Sequence, residues 1–209
     1  MPKLRAGFVT VGAIATNCYI LVNEETKELL LLDPGDEAER ILQKAFELGD
    51  TLTAILLTHG HFDHILAVNE IRKKYPQVRV YAAERERELL LDPRLNQGFH
   101  DPRASVEADI WLRDHDTVKE AGFSFSVLET PGHTDGSVCY YMENEKLLFS
   151  GDTLFRRSYG RVDLPTGSEE DMEYSLSFLL GNLPEDVRVL PGHGELTTIG
   201  AEKRAWGIQ

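Results

Sequence analysis

Short apolar runs separated by polar turns dominate the first third of the chain and return after residue 110. The first three runs are divided by Gly12-Ala13 and by a polar stretch that begins at Asn23, a pattern typical of consecutive antiparallel strands. Later apolar runs that stop at tight turns predict further strands. The predicted strands span residues 6–11, 17–22, 29–32, 53–57, 78–82, 110–112, 123–129, 137–142, 147–149 and 187–190.

Between these runs, apolar residues recur at helical spacing. One helix ends at Gly49, a second begins at Asp63 and is stopped by Pro76, and a third is rich in charge. A fourth begins at Ser168, because a capping hydroxyl followed by acids favours a helix N-terminus. The predicted helices span residues 37–48, 63–75, 84–91 and 168–180. For the irregular stretch 92–105, a substrate loop and a plain surface loop both remain open.

The order of these elements, in two similar halves, predicts paired sheets covered by helices on both outer faces. No repeat or linker marks a boundary, so we expect one domain over residues 1–209. With 42% hydrophobic and 27% charged residues, the composition is that of an ordinary globular protein.

The formal net charge of −13 disfavours attraction to nucleic acid or to an anionic membrane. No run approaches the roughly 20 apolar residues of a membrane helix, and the chain start is too polar for a signal peptide. Cys18 and Cys139 do not suggest a disulfide framework and are expected to be small core residues. We therefore expect a cytoplasmic protein with neither a nucleic-acid nor a membrane partner, as a monomer or small homo-oligomer.

Candidate metal ligands crowd the end of one predicted strand. His59, His61, Asp63 and His64 place three imidazoles and a carboxylate within six residues, directly after the apolar run 53–57. Imidazole nitrogens and carboxylate oxygens suit zinc, iron and manganese. Because imidazoles this close would repel once protonated, a bound cation is the simplest explanation of the cluster.

Three later strands end in the same way, each with a ligand-type residue directly after a tight turn. These residues are His133, Asp152 and His193. Strands aligned in a sheet deliver their ends to one rim, where loops converge. The three are therefore expected to join the first cluster.

The segments Thr58-His59-Gly60-His61-Phe62-Asp63-His64, Pro131-Gly132-His133-Thr134, Ser150-Gly151-Asp152-Thr153-Leu154-Phe155 and Pro191-Gly192-His193-Gly194 resemble the signature of the metallo-β-lactamase superfamily. Within it the chain most resembles the glyoxalase II group, the hydroxyacylglutathione hydrolases, in a short form without the helical C-terminal domain. The resemblance implies an α+β fold, an αββα sandwich of two mixed β-sheets flanked by helices. It implies that His59, His61 and His133 hold one metal, that Asp63, His64 and His193 hold a second, and that Asp152 bridges them.

The implied activity is hydrolysis of a small-molecule thioester such as S-lactoylglutathione. Two divalent ions lower the pKa of a shared water enough to supply a bridging hydroxide near neutral pH, with Asp63 and Asp152 as the carboxylates of the catalytic centre. Zinc is the expected metal, and iron or manganese also suits these ligands. A mononuclear iron persulfide dioxygenase is the main alternative on this scaffold. A nuclease, a flavin-coupled oxygen reductase and a β-lactamase fit the residues less well.

The residues around the predicted centre leave alternatives open. Arg156, Arg157 and Arg161 are expected to form a positive mouth for an anionic substrate, or else to pair with nearby acids such as Asp163. Asp33 is expected to orient a metal-binding imidazole, or else simply to form a turn.

The chain departs from the longer glyoxalase II enzymes at two positions. Asp163 and Glu195 stand where those enzymes carry glutathione-binding tyrosines. The thiol carrier is therefore less well defined by the sequence than the hydrolytic centre.

Overall fold

A computed structural model, which describes residues 2–208, contains two mixed six-stranded sheets. The first sheet has the order β1-β2-β3-β4-β5-β6 and the second the order β12-β11-β10-β9-β8-β7. The strands of the first are β1 (Leu4–Val11), β2 (Thr16–Asn23), β3 (Glu28–Leu32), β4 (Thr51–Leu56), β5 (Arg79–Ala83) and β6 (Ile110–Leu112). Those of the second are β7 (Thr117–Glu120), β8 (Phe123–Glu129), β9 (Val138–Met142), β10 (Leu147–Gly151), β11 (Arg188–Pro191) and β12 (Thr197–Thr198).

Strand direction changes within each sheet. Strands β1, β2 and β3 pair antiparallel, as predicted, and β3 to β6 continue in parallel. In the second sheet β10 and β11 are parallel and the other pairs are antiparallel. The carboxyl ends of β4, β8, β10 and β11 carry the loops discussed below.

Successive side chains of a strand point to opposite faces of the sheet. Neighbouring residues of the central strands therefore pack in two different hydrophobic cores. On β2, Tyr19 and Leu21 pack between the two sheets with Phe125 and Phe149 of the second sheet. Ile20 on the same strand packs outward, against the helices that cover the first sheet. Burial on both faces explains why these strands read as continuous apolar runs.

Over residues 2–208, six α-helices accompany the sheets. They are α1 (Ala38–Phe46), α2 (Phe62–Ile65), α3 (Val68–Lys74), α4 (Arg87–Leu91), α5 (Glu169–Asn182) and α6 (Ile199–Trp206). Helices α1 and α3 cover the first sheet, and α5 and α6 cover the second. The predicted αββα sandwich is therefore confirmed. Within the described residues, no helix combines the length and apolar character that a membrane crossing needs.

The single helix predicted over 63–75 is wrong, because it is broken into α2 and α3. The amide of Ala67 donates to the carbonyl of Pro34, and the amide of Leu66 is shared between Gly35 and Phe62. The segment that follows β3 thus competes for the hydrogen bonds that would continue the helix. The predicted helix 84–91 likewise begins as a 3₁₀ turn, Glu84–Glu86, before α4.

Candidate metal centre

The seven predicted ligands converge on one rim of the sandwich. They follow β4 in the first sheet and β8, β10 and β11 in the second. Strands β8 and β10 point the same way because both are antiparallel to β9, and β11 runs parallel to β10. Within the second sheet, strand direction therefore brings distant segments of sequence to the same rim.

One group consists of His59, His61 and His133, which each offer a ligand atom within 4.8 Å of the other two. His61 Nδ1 lies 2.8 Å from His133 Nε2, and all three residues are buried. Burial, and then the neighbouring His133 imidazole, lowers the pKa of His61 to about 3. Burial also lowers the pKa of His59 well below its usual value. Both imidazoles are thus neutral at physiological pH, the state in which histidine binds metal.

A second group consists of Asp63, His64 and His193. Asp63 Oδ2 lies 3.3 Å from His64 Nε2 and 3.2 Å from His193 Nε2. Burial disfavours the charged form of Asp63, but His64 and His193 together outweigh it, and the pKa of this carboxyl falls below its usual range. The second group therefore presents an ionised carboxylate beside two imidazoles.

Asp152 lies between the two groups. Its Oδ2 is 3.5 Å from His133 Nε2 in the first group and 3.5 Å from His193 Nε2 in the second. Its Oδ1 is 3.4 Å from His64 Nε2. One carboxylate thus touches both ligand sets, which is the position that a bridging ligand requires.

Several buried donor and acceptor atoms at this rim have no hydrogen-bonding partner. They are His59 Nε2, His61 Nε2, both ring nitrogens of His64, and Asp152 Oδ1. Leaving a buried polar atom unpaired costs about 1–3 kcal/mol. Converging imidazole nitrogens and ionised carboxylate oxygens match the donors that divalent transition metals prefer, so these residues fit a metal centre.

Backbone carbonyls set the orientation of two of the imidazoles. His133 Nδ1 donates to the carbonyl of Arg161 at 2.7 Å, and His193 Nδ1 donates to the carbonyl of Ile14 at 3.1 Å. Because a carbonyl can only accept, Nδ1 carries the proton and Nε2 faces the cluster unprotonated when the ring is neutral. Such outer hydrogen bonds commonly fix the tautomer of metal-binding histidines.

Asp33 lies behind two further histidines of the cluster, His59 and His64. Its carboxylate accepts the Thr58 amide at 2.8 Å and the Thr58 hydroxyl at 2.7 Å. That hydroxyl lies 3.1 Å from His59 Nδ1 and accepts from it, since its own proton goes to Asp33. Asp33 Oδ2 is also 3.0 Å from His64 Nδ1, although without hydrogen-bonding alignment. The contact through Thr58 supports the interpretation in which Asp33 orients a metal-binding imidazole, and residues 33–35 do not form a turn.

The three arginines do not share one positive mouth. Arg161 lines the cavity above the cluster and forms two hydrogen bonds of 2.7 Å to Asp163. The Arg156 side chain pairs with Glu195, and the Arg157 amide donates to Glu202. A role in substrate binding stays a prediction for all three.

The cavity has a volume of about 480 Å³ and opens directly onto the cluster. Four apolar side chains, Ile14, Phe62, Phe155 and Leu164, line it beside the ligands, and the irregular stretch 92–105 contributes Gln97. It is lined by Ile14, His61, Phe62, Asp63, Gln97, His133, Asp152, Phe155, Gly160, Arg161, Leu164 and His193.

Two residues at the rim escaped the sequence analysis. Thr16 donates its hydroxyl to Asp63 Oδ2 at 2.7 Å. Glu86 is 2% exposed and accepts hydrogen bonds from the loops that carry His61 and His133. The sequence did hold a signal for Glu86, since it precedes the buried Leu89 and Leu90 by three and four residues and so shares their helix face.

The chain is similar to known metallo-hydrolases along nearly its whole length. The family model of the Metallo-beta-lactamase superfamily matches residues 11–193. Hydroxyacylglutathione hydrolase GloC of Haemophilus influenzae is 34% identical over 201 residues, which cover 94% of each chain. Probable metallo-hydrolase YqgX of Bacillus subtilis is 39% identical over 198 residues, which cover 92% of each chain.

Solved structures of similar proteins also belong to this fold family. BLEG-1 B3 metallo-beta-lactamase is 41% identical with a TM-score of 0.89, covering 96% of this chain and 97% of that one. TTHA1623 in a di-iron-bound form is 36% identical with a TM-score of 0.83, covering 95% of this chain and 98% of that one. With a matching family description and relatives of this identity over nearly their full length, the chain belongs to the metallo-β-lactamase superfamily.

Proposed function

We propose that the chain is a dinuclear metal-dependent thioester hydrolase of the glyoxalase II type, acting on S-lactoylglutathione or a related acyl thiol. The observation that carries this proposal is the position of Asp152, within 3.5 Å of both ligand groups. The 34% identity to hydroxyacylglutathione hydrolase GloC supports the substrate class. Zinc is the proposed metal, although the di-iron form of TTHA1623 makes iron a real competitor.

His59, His61 and His133 would hold one ion, Asp63, His64 and His193 the other, and Asp152 both. Two divalent ions supply a Lewis acid for the substrate carbonyl and a water of lowered pKa, so the reaction needs no serine or cysteine nucleophile.

Residues beside the ligands would orient the metal centre and shape the substrate cavity. Thr16 holds Asp63 Oδ2 in place through its hydroxyl. Ile14, Phe62, Phe155 and Leu164 form the apolar part of the cavity wall, which suits an acyl group and limits competing water. A thiolate leaves readily, so strong protonation of the departing sulfur is unnecessary.

The test is hydrolysis of S-lactoylglutathione by zinc-loaded protein, with a chelated sample and an Asp152→Ala variant beside it. We expect turnover in the loaded protein and background rates in the other two. Asp186→Ala is the matched control, because Asp186 pairs with Lys146 at the opposite end of β10 and is exposed. Full activity of Asp152→Ala with both metals bound would refute the proposal.

Two other activities are assayed on the same preparation. The 41% identity to BLEG-1 makes β-lactam hydrolysis a second candidate, and a chromogenic cephalosporin tests it. Oxygen consumption by iron-loaded protein with glutathione persulfide tests the dioxygenase alternative. The second ligand group disfavours that alternative, because a mononuclear iron site has no use for Asp63 and His193.

A further inference from the structure

The two histidine loops of the first ligand group come from different sheets. Gly60 lies between His59 and His61, after β4 of the first sheet, whereas Thr134 and Gly136 follow His133, after β8 of the second. The separation of these loops decides whether the three imidazoles can bind one ion. A contact that spans both loops would therefore tune the centre.

Glu86 makes that contact with both of its carboxylate oxygens. Oε2 accepts the Gly60 amide at 2.6 Å. Oε1 accepts the Thr134 hydroxyl at 2.7 Å and the Gly136 amide at 2.9 Å. The fit is close, since a Cβ on Gly136 would lie 2.8 Å from Oε1 and one on Gly60 would lie 3.1 Å from Oε2.

We propose that Glu86 is a positioning residue that fixes the spacing of the His59/His61 and His133 loops and thereby sets the affinity of the first metal. The inference rests on the proposed dinuclear centre. The second ligand group has its own supports, because Thr16 holds Asp63 and the Ile14 carbonyl holds His193. Loss of the Glu86 contact is therefore expected to weaken one site and spare the other.

Glu86→Gln tests this inference with little change in shape. The amide oxygen still accepts from Thr134 and Gly136, but the amide nitrogen then faces the Gly60 N–H, which it cannot accept. Zinc is titrated into the metal-free full chain against a chromophoric chelator that resolves two binding steps. We expect about a 10- to 100-fold loss of affinity at one step, the usual effect of removing an outer partner of metal ligands, and no change at the other.

Glu120→Gln is the matched control. Glu120 is also buried and accepts from the Tyr81 hydroxyl, but it pairs with Arg79 at the start of β5, away from the ligand rim. This variant is expected to lose stability and keep both zinc affinities. A merely structural role for Glu86 would give the same result in both variants.

Thr134→Val provides a second variant should Glu86→Gln fail to fold. It removes one of the three donors to Glu86 and is expected to weaken the same zinc step by less. Unchanged zinc binding in the folded variants, or an equal loss at both steps, would overturn the role of Glu86. Absence of zinc binding by the wild-type chain would instead overturn the metal centre itself, and this inference with it.

Discussion

At the scale of single residues, the site depends on close approach as much as on its ligands. Gly192 precedes His193, and a Cβ there would lie 2.2 Å from Asp152 Oδ1 and 2.7 Å from His64 Cε1. Real Cβ atoms essentially never come that close to other atoms, so a side chain at this position must displace a ligand. Glycine is required here for space rather than for backbone freedom.

Gly192→Ala is accordingly expected to reduce bound zinc below two per chain and to abolish thioester hydrolysis. Metal analysis after dialysis and a turnover assay measure both effects. Gly181→Ala is the matched control, since a Cβ at Gly181 in α5 meets nothing within 4 Å. Replacing this helical glycine is expected to raise stability by up to about 1 kcal/mol and to leave zinc content unchanged. Normal zinc content in Gly192→Ala would contradict the steric argument.

Arg161 supplies a second prediction at this scale. Asp163 holds its guanidinium through two hydrogen bonds, although both side chains are more than half exposed. Asp163→Ala is expected to raise kcat/KM for the anionic S-lactoylglutathione by up to about fivefold, because an exposed ion pair is worth about 1 kcal/mol or less. A neutral lactoyl thioester is expected to show no gain.

Two controls separate a local effect on Arg161 from the effect of changing the net charge of the protein. They are the ionic strength of the assay and the Asp186→Ala variant. The gain in Asp163→Ala is expected to shrink as ionic strength rises. Asp186→Ala removes the same charge far from the cavity and is expected to give no gain. An unchanged preference between the two thioesters in Asp163→Ala would show that Arg161 does not contact the substrate.

At the scale of elements, two tyrosines tie the sheets together near the ligand loops. The Tyr140 hydroxyl on β9 donates to the carbonyl of Leu57, two residues before His59. The Tyr19 hydroxyl on β2 donates to the carbonyl of Pro191, two residues before His193. Each bond crosses from one sheet to the other. The two tyrosines therefore hold strand ends that carry metal-binding loops.

Tyr140→Phe is expected to lower the free energy of unfolding by about 1–3 kcal/mol, because it leaves the buried Leu57 carbonyl without its hydrogen-bond donor. Tyr19→Phe is expected to cost less, since the Pro191 carbonyl also accepts from Asn17 at 3.2 Å. Urea denaturation of the metal-free proteins gives both values. Equal losses in the two variants would show that the Asn17 contact does not compensate.

Elements with a clear apolar period were predicted well, and those that depend on tertiary partners were not. The α5 cap was predicted, and Ser168 does accept the Asp171 amide. Strand β7 was missed because its inward positions are Val118 and the polar Glu120, which pairs with Tyr81 and Arg79 of β5. Helix α6 was missed because its buried positions include glycine and glutamate rather than an apolar stripe.

At the scale of the whole molecule, the convergence of the ligands was predictable and their supports mostly were not. Strand ends at a common rim follow from fold topology, and residues as distant as His64 and His193 lie in one ligand group. The contacts of Thr16 and Glu86 depend on how loops of different sheets pack. Local sequence patterns do not predict that packing. The expectation of one domain, which predicts a single cooperative unfolding transition, stays a prediction.

Metal removal is expected to destabilise the whole molecule, because the cluster leaves His59 Nε2, His64 Nε2 and Asp152 Oδ1 buried without protein partners. A ligand at about 1,000 times its Kd stabilises the native state by about 4 kcal/mol. For a protein of this size that corresponds to about 8–16 °C in Tm. Calorimetry of zinc-loaded and chelated protein measures the shift, and added zinc should restore it. His133→Ala is expected to shrink the shift, whereas replacement of the exposed His100 by alanine should preserve it. An unchanged Tm after verified removal of metal would mean that the folded cluster is stable without cations, and the proposed centre would lose its energetic basis.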